Sequence, residues 1–399
     1  MNDNQVKILA GVSKVEQQVR RPFDGTVIKF WDCVSMEIKR DPVLGSRDEV
    51  MAFGFWCRGQ HLRQIKERTA DIEHRLGRGK VFHIAPSNIP VLFAYSFAVG
   101  MLAGNSNVVR VSPKTVDEVL PLCRLIDRVF LKDEFLKLRE QNSVVTYEKD
   151  RGLTDEFSAD CSLRVIWGGD ETIRSVRRSP IPPEAEELVF PDRTSIALLD
   201  VGYLSQCGGE ELELLTRRFY NDTYGADQNA CSSPRIIFWL NGSKDQECCR
   251  NLKQRWWEKV WETARIYELS DRKVYLKYEK LCHYAMLNGK FRESFRKDNL
   301  LYVEELTELP DEPEKFRGSC GLFFEFVLDG LDQLLPVLNR KIQTLTYLGL
   351  DPDILEKLVT ENNVRGIDRI VPVGQALNMG TVWDGKNLIT QMSREISRC

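Results

Sequence analysis

From Val81 to Thr115 the chain reads "VFHIAPSNIPVLFAYSFAVGMLAGNSNVVRVSPKT". The short β-branched run around "KVFHI" ends in a Pro/Ser/Asn turn, an apolar stretch from about Ile89 to Ala103 has helical length, and Gly104-Asn105 stops it before a second buried run, "NVVRVSP". No hairpin turn joins the two runs. They are therefore expected to be parallel strands linked by a helix, the βαβ unit of a parallel sheet. The same segment has the length of a membrane span, about 20 residues. His83, Pro86, Asn88 and Pro90 interrupt its first half, where a lipid-exposed helix needs its hydrogen bonds intact, so strand, loop and buried helix is the expected reading.

The alternation continues outward. A helix is expected from Thr115 to Leu138, followed by strands at "SVVTYE" and "LRVIWGG". Together these predict a doubly wound α/β sheet, which binds ligands beyond the carboxyl ends of its strands. Asn88, Ser112 to Lys114 and Gly168 to Thr172 all fall there. Upstream, Asp48 to Leu76 has helical periodicity closed by Gly77 and Gly79. Downstream of the strand "TSIALLD" come a charged helix (Gly209 to Tyr220), a cysteine-bearing segment, a long helical stretch (Asp245 to Leu287), an acidic loop (Glu304 to Glu314) and a strand at "GLFFEFVL". The expected division is residues 1–190, an entry layer with a cofactor-binding domain, and 191–399, a catalytic domain whose C-terminal segment packs back on the first.

Composition removes several functions. The 399 residues carry 56 lysines and arginines against 59 acids, a net charge of -3, which offers no broad field for nucleic acid. Eleven cysteines are scattered with no C-x-x-C pair, and four histidines form no H-E-x-x-H motif. That usage fits a reducing compartment and implies neither a disulfide framework nor a metal site. The opening residues lack a basic and then apolar signal pattern, so a cytoplasmic location is expected.

Four places could carry chemistry. Cys231 lies in "YGADQNACSSPRIIFW" (224–239), where a polar turn before a strand can aim backbone N–H groups at an oxyanion beside the sulfur. No histidine stands near it in sequence, and a buried cysteine is ordinarily inert. Asn88 reads either as a cap for the following helix or as a side-chain oxyanion donor. Gly168 and Gly169 open a helix with room for a cofactor to approach the backbone, although Asp170 and Glu171 are also ordinary helix-start acids. Arg110, Ser112 and Lys114 alternate beside a strand end and could grip a phosphate or simply face solvent. The tryptophans at 256, 257 and 261 read as packing.

Taken in order, these blocks resemble one family. "HIAPSNIPVLFAYSFAVGMLAGNSNVVRVSPKT", "WGGDETIRSVR", "NACSSPRIIF" and "GIDRIVPVGQALNMGTVWDGKNLITQMSREI" are similar to segments of the aldehyde dehydrogenase superfamily, and more closely of its acyl-CoA reductase branch, the LuxC fatty acid reductases of bacterial bioluminescence. The resemblance covers roughly residues 75 to 395 and implies an aldehyde dehydrogenase-like α/β fold, with a Rossmann-type cofactor domain and a catalytic domain carrying the nucleophile. It makes Cys231 the acyl acceptor and Asn88 the oxyanion donor. It places Gly168, Gly169 and Thr172 at the cofactor, and Arg110 where related enzymes have a lysine at the adenosine ribose.

Pro113 stands where many NAD-preferring members carry a glutamate, which with Arg110, Ser112 and Lys114 favours NADPH. An "ELGG" glutamate, the hydrolytic base of aldehyde oxidation, is absent; the region reads "ELVFPDRTSIALLD", with Glu186 and Glu187 nearby. The implied activity is NADPH-dependent reduction of a fatty acyl-CoA or acyl-carrier thioester to the aldehyde. An acyl-protein synthetase partner and homo-oligomerisation are implied by the family alone. Aldehyde oxidation and a non-reducing acyl-holding scaffold are the alternatives.

Overall fold

The computed structural model describes residues 6–242, 245–287 and 289–397. It divides into two compact units, Met1–Asp192 with Met379–Cys399, and Arg193–Asn378. The first is built on six strands: β1 (Lys7–Gly11), β2 (Lys80–Ile84), β3 (Ser106–Val111), β4 (Asn142–Thr146), β5 (Leu163–Trp167) and β6 (Glu186–Phe190). Their spatial order is β1-β4-β3-β2-β5-β6, with β1 antiparallel to β4 and all other neighbours parallel.

The chain thus lays down β2, β3 and β4 in one direction across the sheet and then returns to place β5 on the other side of β2. That reversal is the topological switch point of a Rossmann-type sheet, and the crevice beyond β2 and β5 is where such folds bind ligands.

The longer helices of this unit are α1 (Gly25–Arg40), α2 (Asp48–Trp56), α3 (Gly59–Arg68), α4 (Leu92–Leu102), α5 (Val116–Phe130), α6 (Arg151–Ala159) and α7 (Asp170–Val176). α4 is the crossover expected between β2 and β3, and all 11 of its residues are buried. A helix apolar on every side belongs in a core, where each fully buried Leu, Phe, Val or Met contributes about 1.5–3 kcal/mol. Among the described residues no helix is long and apolar enough to cross a membrane.

Other expectations need correction. Asp48 to Leu76 is not one helix: it breaks at Cys57 and Arg58, because the Gly59 N–H turns to the carboxylate of Asp32 on α1, at 2.6 Å, and starts α3 there. Its tail, Arg75–Gly77, is a strand paired antiparallel with Ser393–Glu395 near the far end of the chain. The helix expected to Leu138 ends at Phe130.

The second unit contains β7 (Thr194–Asp200), α8 (Gly209–Thr223), β8 (Pro234–Leu240), α9 (Gln246–Ala264), α10 (Asp271–Leu287), β9 (Phe291–Lys297), β10 (Leu301–Leu306), β11 (Leu322–Leu328), β12 (Ile342–Leu348), α11 (Pro352–Glu361) and β13 (Arg369–Pro372). Its sheet runs β9-β10-β11-β8-β7-β12-β13, parallel except for the β9–β10 edge pair. The long helical stretch is two helices, α9 and α10. The expected acidic loop is partly strand: Glu304 and Glu305 lie in β10, paired with Arg296 at 3.2 Å and with Lys253 at 3.0 Å. Trp256 and Trp257 are fully buried, and the Trp257 indole donates to the buried Glu325 carboxylate at 2.7 Å, so this aromatic helix is core.

Candidate active site

Three loops of the first unit follow neighbouring strands β3, β2 and β5 and share one edge of its sheet. The loop after β2 carries Asn88, which is exposed. α4 begins only at Leu92, with Val91 at the cap position and no capping hydrogen bond from it, so Asn88 is not the helix's N-cap residue.

After β5, Gly168 is half-buried and Gly169 exposed. A Cβ at Gly169 would meet nothing within 4 Å, and its φ of -64° is open to any residue. Neither packing nor conformation asks for glycine there, and what it provides is unobstructed access to the backbone. At Gly168 a Cβ would come within 3.2 Å of Thr172, itself exposed.

After β3 the cations divide. The Arg110 guanidinium donates to the Tyr147 carbonyl at 3.1 Å and stacks over that ring, 4.6 Å from its centroid. The Ser112 hydroxyl accepts from the Lys114 N–H at 3.4 Å, and the Lys114 side chain is exposed. Sequence order had grouped the three, but Arg110 is anchored to protein while Lys114 projects outward.

Beneath this edge runs a buried polar chain that sequence reading did not anticipate. The Trp167 indole donates to Ser96 Oγ at 2.9 Å, Ser96 Oγ meets His83 Nδ1 at 2.8 Å, and His83 Nε2 meets Asn107 Oδ1 at 3.0 Å. Asn107 Nδ2 already donates to Asn142 Oδ1 and Asn105 O, so its oxygen accepts, placing the proton on His83 Nε2. Burial lowers the His83 pKa to about 4, outweighing the raising effect of the Asn107 bond. A neutral imidazole thus fixes β2 directly below its functional loop.

In the second unit, Cys231 is half-buried and follows a turn in which Asp227 and Gln228 are both left-handed, with φ of 52° and 55°. Such conformations cost energy for non-glycine residues and persist only where surroundings enforce them. Here they do. Gln228 is fully buried: its N–H donates to Thr223 O at 2.9 Å, its side chain accepts from Gly321 N at 2.8 Å and donates to Leu322 O at 3.1 Å. Its carbonyl accepts from Arg235 Nε at 3.1 Å and Nη2 at 2.9 Å. The Asp227 carboxylate takes the Tyr267 hydroxyl and, at 2.9 Å, the Lys273 ammonium. The Ser195 hydroxyl then holds the Cys231 carbonyl at 2.6 Å.

Burial makes four other thiols less suited to reaction. Burial pushes Cys161 and Cys249 up to about 11 and Cys57 and Cys123 well up, disfavouring their thiolates. The two glutamates near the missing base are engaged elsewhere, Glu187 with Arg164 at 2.5 Å and Arg177 at 2.7 Å, and Glu186 with Arg78. Among the described residues no group of three or more His, Cys, Asp or Glu could hold a metal ion.

Solved structures share this architecture. The chain is similar to proline utilization A (PutA) from Bradyrhizobium japonicum, with a TM-score of 0.67 and 16% identity over 94% of this chain. It spans 43% of that longer protein. It is also similar to aldehyde dehydrogenase 21 of Physcomitrella patens (TM-score 0.62, 12% identity, 92% of this chain and 84% of that one). A third likeness is the glyceraldehyde-3-phosphate dehydrogenase GapN of Methanocaldococcus jannaschii, solved with NADP (TM-score 0.63, 14% identity, 93% and 88%). The fold is that of the aldehyde dehydrogenases. A family model described as acyl-CoA reductase (LuxC) matches residues 57–395, and the chain belongs to that family. A comparison with curated proteins finds no match.

Proposed function

We propose NADPH-dependent reduction of a fatty acyl thioester to the aldehyde through an acyl-cysteine, a reading within the acyl reductase or aldehyde dehydrogenase type of oxidoreductase that family and fold support. The observation that carries this reading is the enforced turn at Asp227-Gln228, which presents half-buried Cys231 at the head of β8. The Cys231 thiolate attacks the acyl carbonyl and expels the donor thiol, exchanging one thioester for another without need of a strong base. Asn88 and the Cys231 N–H are assigned to the oxyanion.

The residues present fit a nicotinamide cofactor at the switch point of the first unit, where open Gly169 and half-buried Gly168 admit the pyrophosphate and ribose. Thr172, Ser112 and Lys114 flank it, and Arg110 keeps an adenosine-side role despite its bond to Tyr147. Lys114 and the lack of an acid at Pro113 favour the 2′-phosphate of NADPH. When bound, the reduced nicotinamide supplies the hydride. Cys231 would hold the acyl carbon for that transfer and would leave as the thiolate when the tetrahedral adduct on its sulfur opens to the aldehyde. Loss of the Glu186 and Glu187 carboxylates to arginines leaves neither to direct water at the acyl-enzyme, consistent with reduction rather than hydrolysis. A cytoplasmic setting, a synthetase partner that charges Cys231 and a homo-oligomer complete the proposal.

The test is intact mass together with nicotinamide absorbance after mixing the protein with a long-chain acyl-CoA and NADPH. Wild type should carry a transient acyl group and consume NADPH, and Cys231→Ala should do neither. Acylation of Cys231 without NADPH consumption would mean a holding scaffold, and equal acylation of both proteins would remove Cys231 from the mechanism.

A further inference from the structure

Where the chain returns to the first unit it forms a small hairpin. Val382–Trp383 pairs antiparallel with Lys386–Asn387, and both residues of the turn between them are left-handed, with φ of 49° at Asp384 and 70° at Gly385. Such a turn matches the twist of its strands and fixes their register. Trp383 and Lys386 are direct cross-strand partners, so their side chains leave the same side of the hairpin. The base is closed as well: Leu388 N donates to Thr381 O at 2.7 Å, and the Tyr95 hydroxyl on α4 donates to Gly380 O.

These two side chains meet the ends of β5 and β6. Half-buried Trp383 packs edge-on against Trp167, with 5.4 Å between ring centroids at 84°, and lies 5.5 Å from the Tyr95 ring. Lys386 Nζ donates to Val189 O at 3.0 Å and sits 5.1 Å from the centroid of Phe190. Trp167 and Phe190 are themselves cross-strand partners, the last residues of β5 and β6, and their rings stack at 3.9 Å and 16°. One cross-strand pair is thus planted on another, indole on indole and ammonium on phenyl ring, both favourable contacts. The next link is backbone. Gly168 N donates to Phe190 O at 3.2 Å, so the pairing of β5 with β6 runs one residue into the Gly168-Gly169 turn. The two glycines have no side chains with which to fix themselves, and on the open side a Cβ at Gly169 would meet nothing within 4 Å. The place of the turn is therefore set from its packed side, through Trp167 and Phe190.

We propose that Trp383 and Lys386 are positioning residues for the Gly168-Gly169 turn: acting through Trp167, Val189 and Phe190, the hairpin holds that backbone where the cofactor needs it. The inference rests on the assignment of the nicotinamide cofactor to this turn. It adds that affinity for the nicotinamide half depends on a hairpin from the far end of the chain, whose two side chains need not touch the cofactor. Displacing a binding element costs affinity even when none of its own atoms is removed.

The experiment titrates the full chain calorimetrically with NADPH and, separately, with adenosine 2′,5′-bisphosphate, which keeps the adenosine end and lacks the nicotinamide half. Trp383→Ala/Lys386→Met should lose at least tenfold in NADPH affinity and stay within threefold of wild type for the bisphosphate. Trp383→Phe/Lys386→Arg keeps a ring and a cation at the two places and should bind NADPH within threefold of wild type. Unchanged NADPH affinity in the first variant, an equal loss on both ligands, or no rescue by the second overturns the inference. Lys386→Met alone should lose about threefold for NADPH, which keeps the test open should the double variant fail to fold; no loss there also counts against the inference. Gly169→Val separates the two readings. If it weakens NADPH binding while Trp383→Ala/Lys386→Met does not, the cofactor assignment stands and the hairpin's role falls; if wild type binds no NADPH, both fall.

Discussion

Asn88 and Cys231 are assigned to one reaction but stand on supports of opposite kind. Asn88 sits on an exposed loop above a neutral polar chain running from Trp167 through His83 to Asn107. Cys231 follows a turn held by Gln228, Arg235, Asp227 and Lys273, on a sheet whose buried polar cluster is ionic, with Lys253 on Glu325 at 2.9 Å and on Glu305 at 3.0 Å. The difference teaches where each unit needs precision. On the proposed roles, a covalent nucleophile is to be held to within fractions of an ångström, whereas a cofactor edge is to leave room for a large molecule to enter and depart.

Four changes would break or sharpen this contrast. Asn88→Ala should act chiefly on chemistry: kcat falls about 10²–10³-fold, the loss typical of one oxyanion donor, with the smaller effect on melting temperature. A fall in melting temperature with little loss of kcat would return Asn88 to a structural role. Gln228→Ala should do the reverse first, leaving Gly321 N and Leu322 O without their partner, at about 1–3 kcal/mol for each buried group. Chemical denaturation reads that loss, and the alkylation rate of Cys231 reports the loosened turn.

Acid should separate the units by sign. His83 has its pKa lowered to about 4, so the unfolded chain binds the proton first and stability at this group falls as pH drops, by about 2 kcal/mol between pH 7 and 5. Asp222 on α8 accepts from Gly374 N at 2.6 Å and Ala376 N at 2.9 Å, bonds that favour the carboxylate, yet burial dominates and raises it to about 7. The folded form then binds the proton first, and stability there rises as pH drops from 7 towards 4. Melting curves at pH 5 and 7 should show that His83→Gln removes the acid loss and Asp222→Asn removes the acid gain; the same pH response in both variants and wild type would refute the assignment. The smallest effect is expected for Gly169→Val. Stability should be unchanged because a side chain there meets nothing, while the NADPH dissociation constant rises roughly tenfold, about 1.4 kcal/mol. Unchanged NADPH affinity would place the cofactor elsewhere.

The βαβ unit from Val81 to Val111 was legible because a fully apolar helix between two β-branched strands, with turn residues at both joints, allows few other arrangements. Strand order was not. Nothing in "LRVIW" says that β5 lies beside β2 and not beyond β4. That depends on packing between segments distant in sequence. The break at Gly59 was hidden for the same reason, since the capping carboxylate belongs to Asp32, 27 positions earlier. At Cys231, the polar lead-in announced a turn, but its clamp comes from Gly321, Leu322 and Lys273, far along the chain. The one local signal passed over was Gln228 itself, a long amide in a tight turn that needs something to bond.

The antiparallel pairing of Arg75–Gly77 with Ser393–Glu395 has a consequence for synthesis. Arg75 also donates to the Thr390 carbonyl at 2.8 Å, and Asn105 to that of Met392 at 2.8 Å. As the chain is made, the whole second unit has been translated before these contacts of the first can form. The unit that carries Cys231 can therefore mature early, whereas the first unit waits, one small sheet short, for the ribosome to pass Glu395.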